Sequence, residues 1–160
     1  MVERTVKSRI HAAEQPLNQI FSEQLEFSIP DYQRPYAGGG EQASQLLLDI
    51  MEAQRRSPDE PYFLGSLVLV KEEGSPEADV IDGQQRLTTL SILLTVLREL
   101  SENSQVRSEM REYIVEPGRI TSGIASKPRL HLRARDRDFS PGTFRIRASS
   151  RNFSRCRTAN

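Results

Sequence analysis

Tryptophan is absent from this chain of 160 residues, cysteine occurs once and histidine twice, and aromatic residues make up only 6%. Each scarcity removes a class of function. The single cysteine, Cys156, forms neither an internal disulfide nor a CxxC zinc site. His11 and His131 stand in unrelated settings without ligand-spaced neighbours, so both read as surface residues. The paired histidine or asparagine ligands of an HNH-type nuclease are therefore missing. No GxxxxGK[ST] or HExxH occurs, which excludes the common P-loop and zinc-hydrolase routes. The longest apolar run, LSILLTVL (90–97), contains Ser91 and Thr95 and falls far short of the roughly 18 residues of a membrane span. The N-terminus, MVERTVKSRI, has no hydrophobic signal region. The expectation is a cytoplasmic protein with no membrane partner.

What is present is unevenly distributed. Hydrophobic residues make up 36% and charged residues 28%, lean for a core but above the disordered range. The formal charge is +0, yet residues 1–118 carry 11 basic and 20 acidic side chains, net −9, and residues 119–160 carry 11 basic and 2 acidic, net +9. The two parts need separate readings.

Residues 1–13 are polar and read as a flexible N-terminus. Leu17, Ile20 and Phe21 within 14–23 predict a short helix. LEFSI (25–29) alternates as a half-buried strand that Pro30 ends, and DYQRPY (31–36) reads as an extended loop, since Arg34 precedes a proline. Three glycines precede an amphipathic helix over 41–56, acidic early and closed by Arg55 and Arg56. YFLGSLVLV (62–70) is long enough for a central strand. DVI (79–81) is a shorter strand, and the turn between them makes a hairpin. A core helix is expected over 84–102, another over 105–115, and a last strand at RLHLR (129–133). The periodicity then ends, and 139–160 reads as a disordered, Arg-rich tail.

Two clusters carry chemistry. In VIDGQQRLTTL (80–90) a strand runs through Asp82 and Gly83 straight into a long helix. The first N–H groups of such a helix lack partners and favour an anion. Gly83 leaves room for a phosphate, and Arg86 brings a permanently charged planar fork. Gln84, Gln85, Thr88 and Thr89 offer neutral hydrogen-bonding groups, and Asp82 offers a ligand for Mg²⁺ or an orienting group for water. The alternative is an Asp-Gly turn that merely starts a core helix. In IPDYQRPY (29–36), Tyr32, Tyr36 and Arg34 suit stacking on a base or gripping phosphate, or else packing over a sheet edge. Arg129, Arg133, Arg135 and Arg137 read as one face of a strand, solvated or in contact with nucleic-acid phosphates.

IPDYQRPY, an amphipathic helix, FLGSLVLV and IDGQQRLTTL in that order resemble the N-terminal domain of GmrSD-type restriction systems, the DGQQR-motif proteins. The resemblance covers about residues 14–138, including KPRLHLRARDRDF. It implies an α+β fold with a small mixed β-sheet and packed helices, similar to ParB/sulfiredoxin-like nucleotide-binding domains. It also implies binding and hydrolysis of a nucleoside triphosphate, GTP or ATP with Mg²⁺, in an antiphage or modification-dependent system that acts on DNA through a nuclease domain or subunit. By motif match, Asp82, Gly83, Gln84, Gln85 and Arg86 form the nucleotide site, with Tyr32, Gln33, Arg34, Gly65 and Ser66 lining the same cleft. Thr88 and Thr89 follow within LTTL. Two departures from the family stand out: Ala37-Gly38-Gly39-Gly40 where a tryptophan usually follows YQRPY, and the tail after Phe139, which reads as a truncated or frame-shifted end. A non-catalytic nucleotide- or DNA-responsive module and an inactive fragment are the competing readings.

Overall fold

The computed structural model describes residues 10–37, 40–118, 121, 123 and 125–133. A four-residue helix α1 (Leu17–Ile20) leads into strand β1 (Glu26–Ser28), followed by α2 (Gly40–Arg56), the hairpin strands β2 (Val68–Lys71) and β3 (Glu77–Asp82), and the long helix α3 (Gln84–Leu100). Then come α4 (Ser104–Ile114) and the short strands β4 (Val115–Glu116), β5 (Lys127–Pro128) and β6 (Leu130–His131). The fold is α+β, as the sequence predicts. β2, β3, β1 and β6 form a mixed sheet in that order, and β4 pairs with β5 in a second, two-stranded sheet. β1 runs parallel to both β3 and β6, and β2 runs antiparallel to β3.

Period-two patterning assigns the faces of the sheet. Phe27 registers with Ala78 on one side and Leu130 on the other, and all three are buried together with Val80. The next pair, Ser28 and Asp79, is exposed. Leu87, Leu90 and Leu94 of α3 complete the core with Phe21, Ile29 and Ile114, each buried side chain contributing about 1.5–3 kcal/mol of transfer free energy. Phe21 meets Phe27 edge to face at 6.3 Å between ring centres. Ser91 and Thr95 are also buried in α3, where their hydroxyls donate to the carbonyls of Leu87 (2.9 Å) and Ser91 (2.8 Å). Asn103 caps α4, accepting from the N–H groups of Gln105 and Val106. No residue of α2 is fully buried, and Leu48 and Met51 remain exposed.

Two readings of the sequence need correction. The run 62–70 is not a central strand. Gly65 adopts φ +109° in its middle, Tyr62 and Phe63 are exposed, and only its end forms β2, at the sheet's edge. β3 is the longer strand and takes the inner place. The second correction concerns RLHLR, where only Leu130 and His131 form a strand. Arg129 and Arg133 are both 7% exposed, so neither lies on a solvated or DNA-facing surface. Arg129 donates from Nε to the Glu112 carbonyl (2.8 Å) and from Nη1 to the Ser22 carbonyl (2.9 Å), tying the end of α4 to the α1–β1 turn. Arg135, Arg137 and the segment 139–160 lie outside the described residues, as do residues 1–9.

A charged clasp joins the two sheets. Glu26 of β1 pairs with Lys127 of β5, and its other carboxylate oxygen lies 2.8 Å from Nε2 of His131. Lys127 also stands 3.7 Å from Glu116 of β4. Burial pushes the Glu26 carboxyl upward, but the Lys127 ammonium and His131 outweigh that and hold it below its ordinary value. The hydrogen bond to Glu26 raises Lys127 above its ordinary value, against a smaller opposing effect of burial.

Candidate functional site

The two motifs of the sequence meet at the C-terminal end of β3. The strand ends at Asp82, Gly83 adopts φ +89°, and α3 begins at Gln84 with the Leu87 N–H donating to the Gly83 carbonyl at 2.9 Å. No side chain caps this helix. The main-chain N–H groups of Gln84, Gln85 and Arg86 thus have no acceptor among the described residues, at the positive end of a 17-residue helix. Gly83 is required on two counts. Its φ is left-handed, and a Cβ there would sit 2.9 Å from the Ser66 carbonyl oxygen.

The loop 30–37 lies across this helix start and is held there by amides. Nε2 of Gln84 donates to the Arg34 carbonyl (3.0 Å), and Nε2 of Gln85 to the Pro35 carbonyl (3.1 Å). The Ala37 N–H returns to Oε1 of Gln85 at 3.1 Å. From the loop side, Nε2 of Gln33 donates to the Ile81 carbonyl at 2.8 Å. That acceptor is available for a reason of register. Val68 pairs with Asp82 but Leu69 with Val80, so the β2–β3 ladder skips Ile81 in a bulge. Tyr36 Oη shares a 3.1 Å bond with Thr89 Oγ1, which itself donates to the Gln85 carbonyl (2.8 Å).

The FLGS turn supplies the third wall. Nη1 of Arg86 donates to the Ser66 carbonyl at 3.1 Å, and its guanidinium lies so close over Gly65 that a Cβ there would stand 2.3 Å from Cζ. The Ser66 carbonyl therefore abuts both Gly83 and Arg86, which brings the guanidinium to the start of the helix.

The family model described as GmrSD restriction endonuclease, N-terminal domain, matches residues 17–153. The chain belongs to that family. Its role lies in a restriction system. None of the curated proteins compared with the chain matches it. The match runs past Phe139 into the Arg-rich segment.

Within this GmrSD N-terminal domain, the residues singled out in the sequence fall into two layers. Tyr32, Arg34, Ser66, Asp82, Gln85 and Arg86 are exposed, Tyr32 at 74%. Gln84, Thr88 and Thr89 are buried, and the Thr88 hydroxyl has no partner among the described residues. Gln33, Gly65 and Gly83 lie between these layers, half-buried. Asp82 makes no ion pair among the described residues, which also contain no group of three or more His, Cys, Asp or Glu side chains placed to hold a metal. One carboxylate fits Mg²⁺ where waters and the oxygens of a ligand complete the octahedron. No helix of the described residues is long and apolar enough to cross a membrane. Sequence reasoning missed the carbonyls of Arg34, Pro35 and Ile81 as the partners of the glutamines, because main-chain acceptors leave no residue-type signal. It also missed Arg133, whose Nη1 donates to the Gln33 carbonyl.

Proposed function

We propose that the domain binds the phosphates of a nucleoside triphosphate at the N-terminus of α3 and hydrolyses it in a restriction system. The observation that carries this reading is the uncapped helix start. Three main-chain N–H groups without acceptors stand beside the Arg86 guanidinium, with the exposed Arg34 on the loop pinned across them. An uncapped helix end with a cation beside it suits an anion. Its hydrogen bond to Ser66 leaves the remaining Arg86 N–H donors for phosphate oxygens, and Arg34 adds a second cation for charge that develops during transfer. Asp82 would hold Mg²⁺ jointly with the phosphates; the ion would neutralise charge on the transferred group. Tyr32, exposed on the same loop, offers a face for the base. The GmrSD family description names a restriction endonuclease, which supports the reading that the site acts on DNA through a nuclease domain or subunit.

One observation favours a second reading, a module that binds without turnover. The side chains of Gln84 and Gln85, which would otherwise orient a water, are engaged by loop carbonyls. Phosphate release by the wild-type chain and by Arg86→Ala, with GTP, ATP and CTP offered in turn and Mg²⁺ present, separates the two. Hydrolysis that falls at least about 100-fold in Arg86→Ala supports catalysis. Binding without release supports the module. The absence of binding to any of the three overturns both.

A further inference from the structure

We propose that Arg133, 47 residues beyond the DGQQR motif, is a positioning residue of this site that sets the direction of Arg34. The proposal rests on the phosphate-site reading. Arg133 follows β6 at the sheet edge farthest from β2 and is 7% exposed, an expensive place for a guanidinium unless its donors are used. Its Nη1 donates to the main-chain oxygen of Gln33. Gln84 of α3 holds the next carbonyl, that of Arg34, at 3.0 Å. These two carbonyls belong to the peptide units on either side of the Arg34 Cα. Holding both oxygens restricts φ and ψ of Arg34, and with them the direction in which its Cβ leaves the chain. Pro35 narrows the choice further, since a residue before proline is confined to extended backbone. The same contact anchors Gln33, whose side chain holds the Ile81 carbonyl immediately before Asp82 and Gly83. Arg133 thus braces the loop from the sheet side while the α3 glutamines brace it from the helix side. It is a side-chain brace supplied from outside the two motifs.

The test uses the full 160-residue chain and compares Arg133→Met, Arg133→Lys and Arg129→Met. Arg129 is the control, a guanidinium equally buried and bonded to carbonyls, but at the end of α4 rather than at the loop. Two quantities are read: affinity for inorganic tripolyphosphate, and amide hydrogen exchange over 33–37, which includes the Ala37 N–H bonded to Gln85. In Arg133→Met, exchange over 33–37 is expected to quicken while 90–97 of α3 stays protected, and tripolyphosphate binding to weaken about ten-fold or more. Arg133→Lys is expected to recover part of both, since it keeps the stem and a charged donor. Arg129→Met is expected to lose stability without a selective change in the loop. Loop exchange unchanged in Arg133→Met, or faster loop exchange with unaltered tripolyphosphate affinity, overturns the proposal. If Arg133→Met does not fold, Arg133→Lys decides: faster exchange over 33–37 than in wild type supports the role, and equal exchange overturns it. Failure of the wild-type chain to bind tripolyphosphate overturns the phosphate-site reading, and the exchange comparison then still decides whether Arg133 holds the loop.

Discussion

Two glycines with left-handed φ stand at the site, and their neighbours differ in kind. A methyl group at Gly65 would meet the far end of the Arg86 side chain, which can swing away, whereas one at Gly83 would meet the Ser66 carbonyl, which is main chain. Both substitutions carry about 1–2 kcal/mol of backbone strain. Gly83→Ala adds displacement of the FLGS turn, so chemical denaturation is expected to rank it as the more destabilising. Gly65→Ala is expected to fold while losing triphosphate binding, because the displaced guanidinium leaves the helix start. The reverse order of stabilities would contradict this geometry. These glycines were legible in the sequence as glycines of their motifs, but which atoms they make room for was not. The proximity of Gly65 to Arg86 depends on how the FLGS turn and α3 pack, and no local pattern encodes that.

At the scale of elements, the helices were legible because their apolar spacing survives in the packed state. Leu87, Leu90 and Leu94 are buried as the period demands, and the ends of α2, α3 and α4 fall within about two residues of expectation. Strands read less well. The run 62–70 has the composition of a buried strand, yet Val68 and Val70 are exposed on the outer side of an edge strand, and Gly65 breaks the extension. Nor could RLHLR announce that its arginines are buried. Alternation places them opposite Leu130 and Leu132, but a two-residue strand exerts no such control over its flanks, and each guanidinium turns inward to carbonyls. The capping of α4 is a local device and gives a local prediction. Asn103 accepts two main-chain N–H bonds, so Asn103→Ala is expected to cost about 1 kcal/mol in urea unfolding, with Asn103→Asp close to neutral. A cost below a few tenths would mean that water replaces the cap.

For the whole molecule, the Glu26 clasp couples stability to pH with a definite sign. The folded-state value of Glu26 lies below the ordinary 4.5, so its contribution is present in full above that value and is lost as pH falls through the lowered one. Lys127 has the opposite sense: its contribution holds below the ordinary 10.5 and is lost as pH rises through its raised value. Glu26→Gln is expected to cost about 1 kcal/mol at neutral pH, a figure discounted because the Lys127 side chain is 44% exposed. The gap from wild type in thermal melts is expected to close towards acid and to stay open at pH 7; a gap independent of pH would contradict the pairing. The clasp lies where β1 meets β5 and β6, and that junction has a consequence in time. Phe27 pairs with Leu130, so β1 leaves the ribosome long before β6, the later of its two parallel partners, exists. At about 5–20 residues per second, the interval is on the order of 5–20 s. Throughout it, one edge of β1 is an open template for other chains, and the Gln33 carbonyl has no Arg133. The loop that carries Arg34 and the sheet are therefore completed by the same late event, and on the proposed reading a nascent chain gains its phosphate site only once its own β6 has docked.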